Sequence, residues 1–341
     1  MFGPLIGLLS QDLALDPGSS VLRIHPKAGA AYEIPSVVTV RTASEGRRQL
    51  VSYGEAARKF LGRAPPSIEV VRPFLAGRVA DHDAAEALLL CVLREVHGRN
   101  SLVRPSVVVA VPHNAGPGEL RALRDCCSSA GARHVQLVAK PLAAALGAGL
   151  PVHEPAGNLV IDVGAGSVDI ALVAMDRVVS AASVPAGGDA VDEVVARHVK
   201  RTHALLIGPR TAESAKLSTV SLQDSSEERL GSASGRCLRT GLPSRVILSS
   251  RALTPLLMPL IDLIAAGVRA VLDAAPRELA ADVTEQGAVL VGGGARLRGL
   301  SSALRDRTGL PMVEADDPER AVLRGLGLIL DDTTVRKAMA A

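Results

Sequence analysis

Aromatic residues are nearly missing from this 341-residue chain, which has three Phe, two Tyr and no Trp. That argues against base stacking on aromatic platforms, and it leaves Leu, Val, Ile and Ala to build the core. Charge of one sign is missing too. A formal net charge of +3 gives no basic footprint for a polyanion, so nucleic acid is not an expected partner. The four cysteines (Cys91, Cys126, Cys127, Cys237) fall outside any Cys-x-x-Cys spacing, and the eight histidines form no obvious ligand cluster. The cysteines therefore read as buried thiols in a reducing cytosol, not as a zinc site or a disulfide framework. No apolar run approaches the roughly 20 residues that span a bilayer. The N-terminus, Met1-Phe2-Gly3-Pro4-Leu5-Ile6-Gly7-Leu8-Leu9, is apolar but has no basic segment before it, so it makes a poor signal peptide. Gly3, Pro4 and Gly7 argue against a stable amphipathic helix there.

What the chain does have is a pair of hairpin signals. Leu159-Val160-Ile161 is an apolar strand that ends on Asp162; Gly164-Ala165-Gly166-Ser167 turns the chain, and Ile170 to Val173 returns. Glycines in such a turn let the backbone approach a phosphate and point N–H groups at it. An aspartate at the strand tip can hold Mg²⁺, directly or through water. A weaker copy, Leu13-Ala14-Leu15-Asp16-Pro17-Gly18-Ser19-Ser20, lies far upstream. A single hairpin of this kind is weak; two suggest a duplicated fold that clamps a nucleotide between its halves.

Strand and helix patterns alternate along the chain, which implies α/β architecture. Strands are expected at Ser106 to Val111, Val135 to Val138, Ser180 to Val184 and Ala288 to Val291. Helices are expected at Glu55 to Leu61, Asp83 to His97, Gly118 to Gly131, Pro141 to Gly149, Asp189 to His203, Thr211 to Thr219, Leu253 to Ala275, Leu297 to Arg307 and Pro318 to Leu330. Arg41 to Gln49 reads as turn-like, Ser221 to Ser244 as Ser/Gly-rich with little periodicity, and Asp331 to Ala341 as a loose tail.

Further landmarks sharpen this reading. They include Glu55-Ala-Ala-Arg58, Gly62-Arg63-Ala-Pro65, Val71-Arg72-Pro73, Gly77-Arg-Val-Ala-Asp81, Val109-Ala-Val-Pro112, Ala130-Gly-Ala-Arg133, Pro141-Leu-Ala-Ala-Ala145 through Pro151, Gly187-Gly188-Asp189, Leu206-Ile-Gly208, Thr211-Ala-Glu213 and Gly292-Gly293-Gly294-Ala295. With the hairpins, they run from about Leu13 to Leu330 and resemble the MreB family of bacterial actins, within the actin-fold ATPases. The resemblance implies an actin-like (ribonuclease H-like) duplicated α/β fold, two lobes with a nucleotide cleft between them. Residues 1–148 would form the first lobe, with a small insertion at about 33–76. Residues 149–317 would form the second, with an insertion at about 188–248. Residues 318–341 would be a closing helix that packs back on the first lobe, followed by a tail.

The resemblance also implies roles. ATP or ADP would be the ligand, with Mg²⁺ held by Asp16 and Asp162 facing each other across the cleft. Gly164, Ala165, Gly166 and Ser167 would wrap the β- and γ-phosphates, with Gly18, Ser19 and Ser20 doing so from the first lobe. Gly187-Gly188-Asp189 opens a helix whose start favours anions, and Asp189 could also simply cap it. Glu213 and Lys216 would touch ribose and adenine, the alternative being a solvent-exposed ion pair at i, i+3. Gly292, Gly293, Gly294, Ala295 and Arg296 would floor the pocket. Phe2, Leu5, Leu8 and Leu9 would form a short membrane anchor, with a frayed end or strand lead-in as the alternative. Leu102 and Val103 sit at a family membrane-contact loop, where ordinary loop packing would explain them equally.

Three departures from the family pattern matter. Where the family reads Asp-Leu-Gly-Thr-Ala-Asn-Thr, this chain has Asp16-Pro17-Gly18-Ser19-Ser20-Val21, one residue short by this reading, and Pro17 removes a backbone donor. Where the family has Glu-Glu-Pro, with a glutamate that orients the attacking water, this chain has Ala139-Lys140-Pro141. Alanine cannot accept a proton, and a charged lysine cannot either, though it can attract phosphate. Third, Ser167-Val168-Asp169 replaces Thr-Thr-Glu. No catalytic residue is intact, so ATPase activity is expected to be weak or absent. The function implied is a cytoskeletal one: ATP-binding filaments, peripheral on the inner face of the cell membrane, that organise cell shape and cell-wall synthesis with membrane proteins of the shape complex. Two rivals stand beside it. A degenerate scaffold would neither hydrolyse nor cycle, and an actin-fold phosphotransferase would need a carboxylate base beside a sugar hydroxyl, for which no separate motif is visible.

Overall fold

The computed structural model describes residues 12–42, 47–97, 104–223 and 228–332. The expected membrane-contact residues Phe2, Leu5, Leu8, Leu9, Leu102 and Val103 lie outside these ranges.

Two five-stranded sheets repeat one topology. In the first, β1 (Leu13–Pro17), β2 (Val21–Pro26) and β3 (Tyr32–Pro35) run antiparallel in succession. Between β3 and the strands that complete this sheet come β4 (Val38–Thr42), β5 (Arg48–Tyr53), β6 (Glu69–Val71), β7 (Phe74–Leu75) and β8 (Arg78–Val79). β9 (Ser106–Val111) and β10 (His134–Ala139) then join parallel to β1, giving the order β10-β9-β1-β2-β3. In the second, β11 (Asn158–Val163), β12 (Val168–Ala174) and β13 (Arg177–Val184) are again antiparallel. After the small strands β14 (Leu205–Leu206), β15 (Leu230–Cys237) and β16 (Pro243–Ser249), β17 (Ala288–Val291) and β18 (Met312–Glu314) add in parallel, giving β13-β12-β11-β17-β18. β1, β9 and β11 are buried along their whole length, which is why they read as largely apolar runs, with Asp16 and Asp162 as charged exceptions near the strand ends. β2 alternates buried and half-buried residues, as a strand covered more fully on one face does.

Each sheet carries its own core. Leu88, Val92, Val107 and Val109 belong to the first, and Ile161, Ile170, Leu257 and Leu290 to the second. A third cluster joins them, with Ala14 and Val108 from the first sheet, Val160 and Val173 from the second, and the helices Lys140–Gly147 and Ala321–Asp331 between. These helices cross backbone to backbone. A Cβ on Gly147 would overlap the Ala321 carbonyl, and one on Gly325 would overlap the carbonyl of Ala143.

The structure departs from the sequence expectations in several places. The turn-like segment Arg41 to Gln49 contains the facing ends of β4 and β5. Ser221 to Ser244 contains most of the β15–β16 hairpin, paired from Leu230↔Ser249 to Arg236↔Pro243; small residues and exposed Leu and Ile hid its alternation. The Arg277–Gln286 helix and β18 were not expected. Finally, the Ser250–Asp273 helix is long and apolar enough to cross a membrane, with a mean hydropathy of 1.8. Its buried residues Leu253, Leu257, Ile261, Ile264, Val268 and Val271 belong to the second core, so it is a core helix.

Candidate functional site

The β1–β2 and β11–β12 hairpins have matching registers. Asp16 pairs with Arg23 and Asp162 with Asp169, and each turn leaves four residues between the last partners, 18–21 and 164–167. The first hairpin is therefore no shorter than the second; what differs is the chemistry it carries. The two tips meet. Gly166 has no room for a side chain, since a Cβ would lie 2.7 Å from Ser19 Oγ, and Ser19 Oγ accepts the Ala76 N–H at 2.8 Å.

Behind the tips lies a cavity of about 430 Å³. Gly18, Ser19, Ser20, Gly164, Ala165, Gly166 and Ser167 line it, together with Gly187, Gly188, Glu213, Lys216, Gly292, Gly293, Gly294 and Arg296. Among the described residues, the N–H groups of Ser19, Ser20, Ala165 and Gly166 have no backbone acceptor, so they are donors available to an anion. The opposite wall is apolar and comes from one face of the Ser250–Asp273 helix, through Leu257, Leu260, Ile261 and Ile264. The sequence reading missed this wall, although the i, i+3, i+4, i+7 spacing was there to be seen.

Asp189 and Ala295 do not line the cavity. The helix Gly188–His203 starts on Gly187 as its N-cap, without a side-chain cap. The N–H groups of Gly188 and Asp189 donate to the carbonyls of Gly164 and Ala165 at 3.0 and 2.8 Å, so they hold the hairpin and not an anion. The Asp189 carboxylate does not cap; it pairs with Arg72 at 2.9 Å, an ion pair between the two halves of the chain. Ala295 is buried beneath the glycine turn. Arg296 is tied to Glu319 at 2.9 Å and Asp317 at 3.6 Å.

Glu213 and Lys216 both reach the cavity but do not pair with each other. Lys216 Nζ donates to the Gly188 carbonyl at 3.2 Å and meets Asp192 at 3.0 Å. Asp192 was not singled out from the sequence. Burial pushes its carboxyl up to about 6 against the pull of Lys216, and Glu213 and Asp189 push the same way as burial.

At the two strand tips the chain supplies its own cations. Arg23 Nη1 donates to Asp16 Oδ2 at 3.5 Å. Lys140 Nζ lies 2.7 Å from Asp162 Oδ2, both side chains being largely buried. The contact is an ion pair held by charge and proximity, because Oδ2 has no well-directed hydrogen-bond partner. Burial works against the charged Lys140; the carboxylates of Asp162, Asp16 and Asp169 outweigh it and hold its pKa above the ordinary lysine value. Asp162 Oδ1 lies against Gly292, whose φ of +82° and lack of Cβ allow the approach; a side chain there would overlap the oxygen. With an ammonium on Oδ2 and Gly292 against Oδ1, the residues present do not fit a Mg²⁺ coordinated directly by Asp162. Among the described residues no three His, Cys, Asp or Glu side chains gather as a metal site. Ala139 ends β10 and offers only a methyl group.

The sequence matches the family described as MreB/Mbl protein over residues 10–338. The cell shape-determining protein MreB of Escherichia coli (strain K12) is 39% identical over 329 residues, covering 95% of this chain and 94% of that protein. The crystal structure of MreB5 of Spiroplasma citri bound to ADP superposes with a TM-score of 0.89 at 27% identity, covering 95% of this chain and 97% of that one. The MamK double helical filament superposes with a TM-score of 0.75 at 19% identity over 94% and 99% of the two chains, a likeness of fold alone.

Proposed function

Because the chain belongs to the MreB/Mbl family of bacterial actins, we propose that it binds an adenine nucleotide between its lobes and assembles into filaments. These filaments lie on the inner face of the cell membrane and organise cell-wall synthesis with membrane proteins of the shape complex. The observation that carries the nucleotide reading is the pair of hairpin tips, which line one cavity with an apolar wall and whose N–H groups have no backbone acceptor among the described residues. That cavity has the mixed character of a nucleotide site, donors for phosphate at one end and apolar surface for a base at the other. The ADP-bound relative supports the same ligand.

Hydrolysis is weak or absent in this reading, because Ala139 and Lys140 replace the glutamate pair that the resemblance leads one to expect. The Lys140–Asp162 ion pair favours a filament that does not cycle over one that does. The test combines calorimetric titration of the purified chain with ATP and ADP and electron microscopy with ATP on a lipid monolayer. Saturable binding and membrane-bound filaments are the expected results. Absence of binding would remove the nucleotide, and soluble phosphorylated products from a panel of sugars would replace the cytoskeletal reading with a phosphotransferase.

A further inference from the structure

The cleft holds a cation that belongs to the chain. Lys140 opens the helix Lys140–Gly147, and its ammonium sits 2.7 Å from Asp162 Oδ2, at the tip of the strand that leads into the second phosphate hairpin. It lines the same cavity as Asp16, Ser20, Gly164 and Gly166. The other strand-tip carboxylate, Asp16, is met by Arg23 from its own hairpin at 3.5 Å. Each carboxylate thus has a covalently attached cation beside it, Arg23 being shared with Glu33. A Mg²⁺ coordinated directly by Asp162 would sit about 2.0–2.1 Å from the carboxylate oxygen. To do so it would have to displace the ammonium or share Oδ2 with it, charge against charge. An ammonium carries three N–H donors. Its contact with Asp162 is one of charge and proximity, so N–H donors remain for phosphate oxygens, and lysine binds phosphate well as a compact point charge.

We propose that Lys140 stands in for the divalent cation, bridging Asp162 to the nucleotide phosphates, so that this chain binds ATP and ADP without Mg²⁺. The inference rests on the nucleotide reading above and goes beyond it by naming what neutralises the phosphates. The protein would hold its nucleotide regardless of free Mg²⁺. Replacing Lys140 would leave Asp162 with a buried, unpaired charge and so create a demand for metal that the natural chain lacks.

The experiment titrates the full chain with ATP and with ADP by calorimetry, once in excess MgCl₂ and once in excess EDTA. The expected result is a pair of affinities that agree within about threefold, less than the tenfold that 1.4 kcal/mol represents. Lys140→Ala should lose about tenfold or more in EDTA and recover when MgCl₂ is added. A wild-type affinity at least tenfold weaker in EDTA than in MgCl₂ overturns the proposal while leaving the nucleotide site standing. Equal affinities of wild type and Lys140→Ala in EDTA overturn it as well. If the wild type binds neither nucleotide in either buffer, the nucleotide reading falls and this inference falls with it. The wild-type comparison decides the matter even if the variant does not fold.

Discussion

Ala139 closes β10 with a methyl group, and a methyl group neither orients water nor accepts a proton. Its neighbour Lys140 is paired with Asp162 and cannot accept a proton while charged. Phosphate release by the wild type should therefore run about 10²–10⁴-fold below that of a relative with both glutamates, the usual cost of losing such a group. A steady-state phosphate assay on both proteins side by side checks this, and matching rates would refute it. The same residues show what the sequence could disclose. The replacement of the glutamate pair that the resemblance leads one to expect was legible from two letters. The destination of the lysine was not, because nothing in a linear sequence says that position 140 faces position 162. Arg23 was nearer to hand, since the register opposite Asp16 can be counted from the turn. Asp192 could not be found that way; it became notable only through burial beside Lys216. Its folded carboxyl titrates near 6 instead of 3.8, so the folded state holds the proton more tightly than the unfolded state. Its contribution to stability is fully present below about pH 4 and is lost as pH rises through about 6. Thermal unfolding of wild type and Asp192→Asn across pH 4 to 7 should show the wild type losing ground over that window, by an amount on the order of 2 kcal/mol. A pH-independent difference would contradict the assignment.

Elements with strong periodicity were readable and weakly patterned ones were not. The Asp83 to His97 and Asp189 to His203 expectations fall within a residue of the observed helices His82–His97 and Gly188–His203. β18 is only three residues long, and the β15–β16 hairpin buries little beyond Ala233 and Leu248 while exposing Leu230, Leu242 and Ile247, so neither gave the pattern a clear apolar face to report. The crossing of Lys140–Gly147 with Ala321–Asp331 was likewise invisible, although Gly147 and Gly325 make it possible. Gly147→Ala or Gly325→Ala forces a methyl into a backbone carbonyl. Each should destabilise the protein by roughly 1–3 kcal/mol, the range for overpacking a core. Gly118→Ala, where nothing lies within 4 Å of the new methyl, is the control and should be neutral or mildly stabilising. Thermal melts of the three variants decide the point; a Gly325→Ala protein as stable as the wild type would mean that the helices do not touch as described.

For the whole molecule, the resemblance made the duplicated architecture legible, while membrane contact rests on sequence alone. The N-terminal segment has no Lys or Arg before Arg23, so anionic lipid pulls on it weakly. Each of Phe2, Leu5, Leu8 and Leu9 can contribute at most roughly 1.5–3 kcal/mol on burial. One such anchor is marginal, but a filament presents many, and linkage raises avidity by roughly 10²–10⁴-fold. Filaments should therefore co-sediment with liposomes while monomers barely do. Deleting residues 1–9 together with Leu102→Ser and Val103→Ser should abolish pelleting and leave polymerisation intact. Undiminished pelleting by that variant would place the membrane surface elsewhere.

The backbone crossing at Gly147 and Gly325 has a mechanical meaning. Where two helices meet through carbonyls and amides, the distance between them is set by backbone atoms, which cannot repack as side chains do. Away from that joint the two halves are tied by the half-exposed Arg72–Asp189 ion pair, and salt weakens a pair of that kind. Lys140 sits on the first turn of one of the crossing helices, so the rigid contact at Gly147 and Gly325 also fixes where its ammonium stands relative to Asp162.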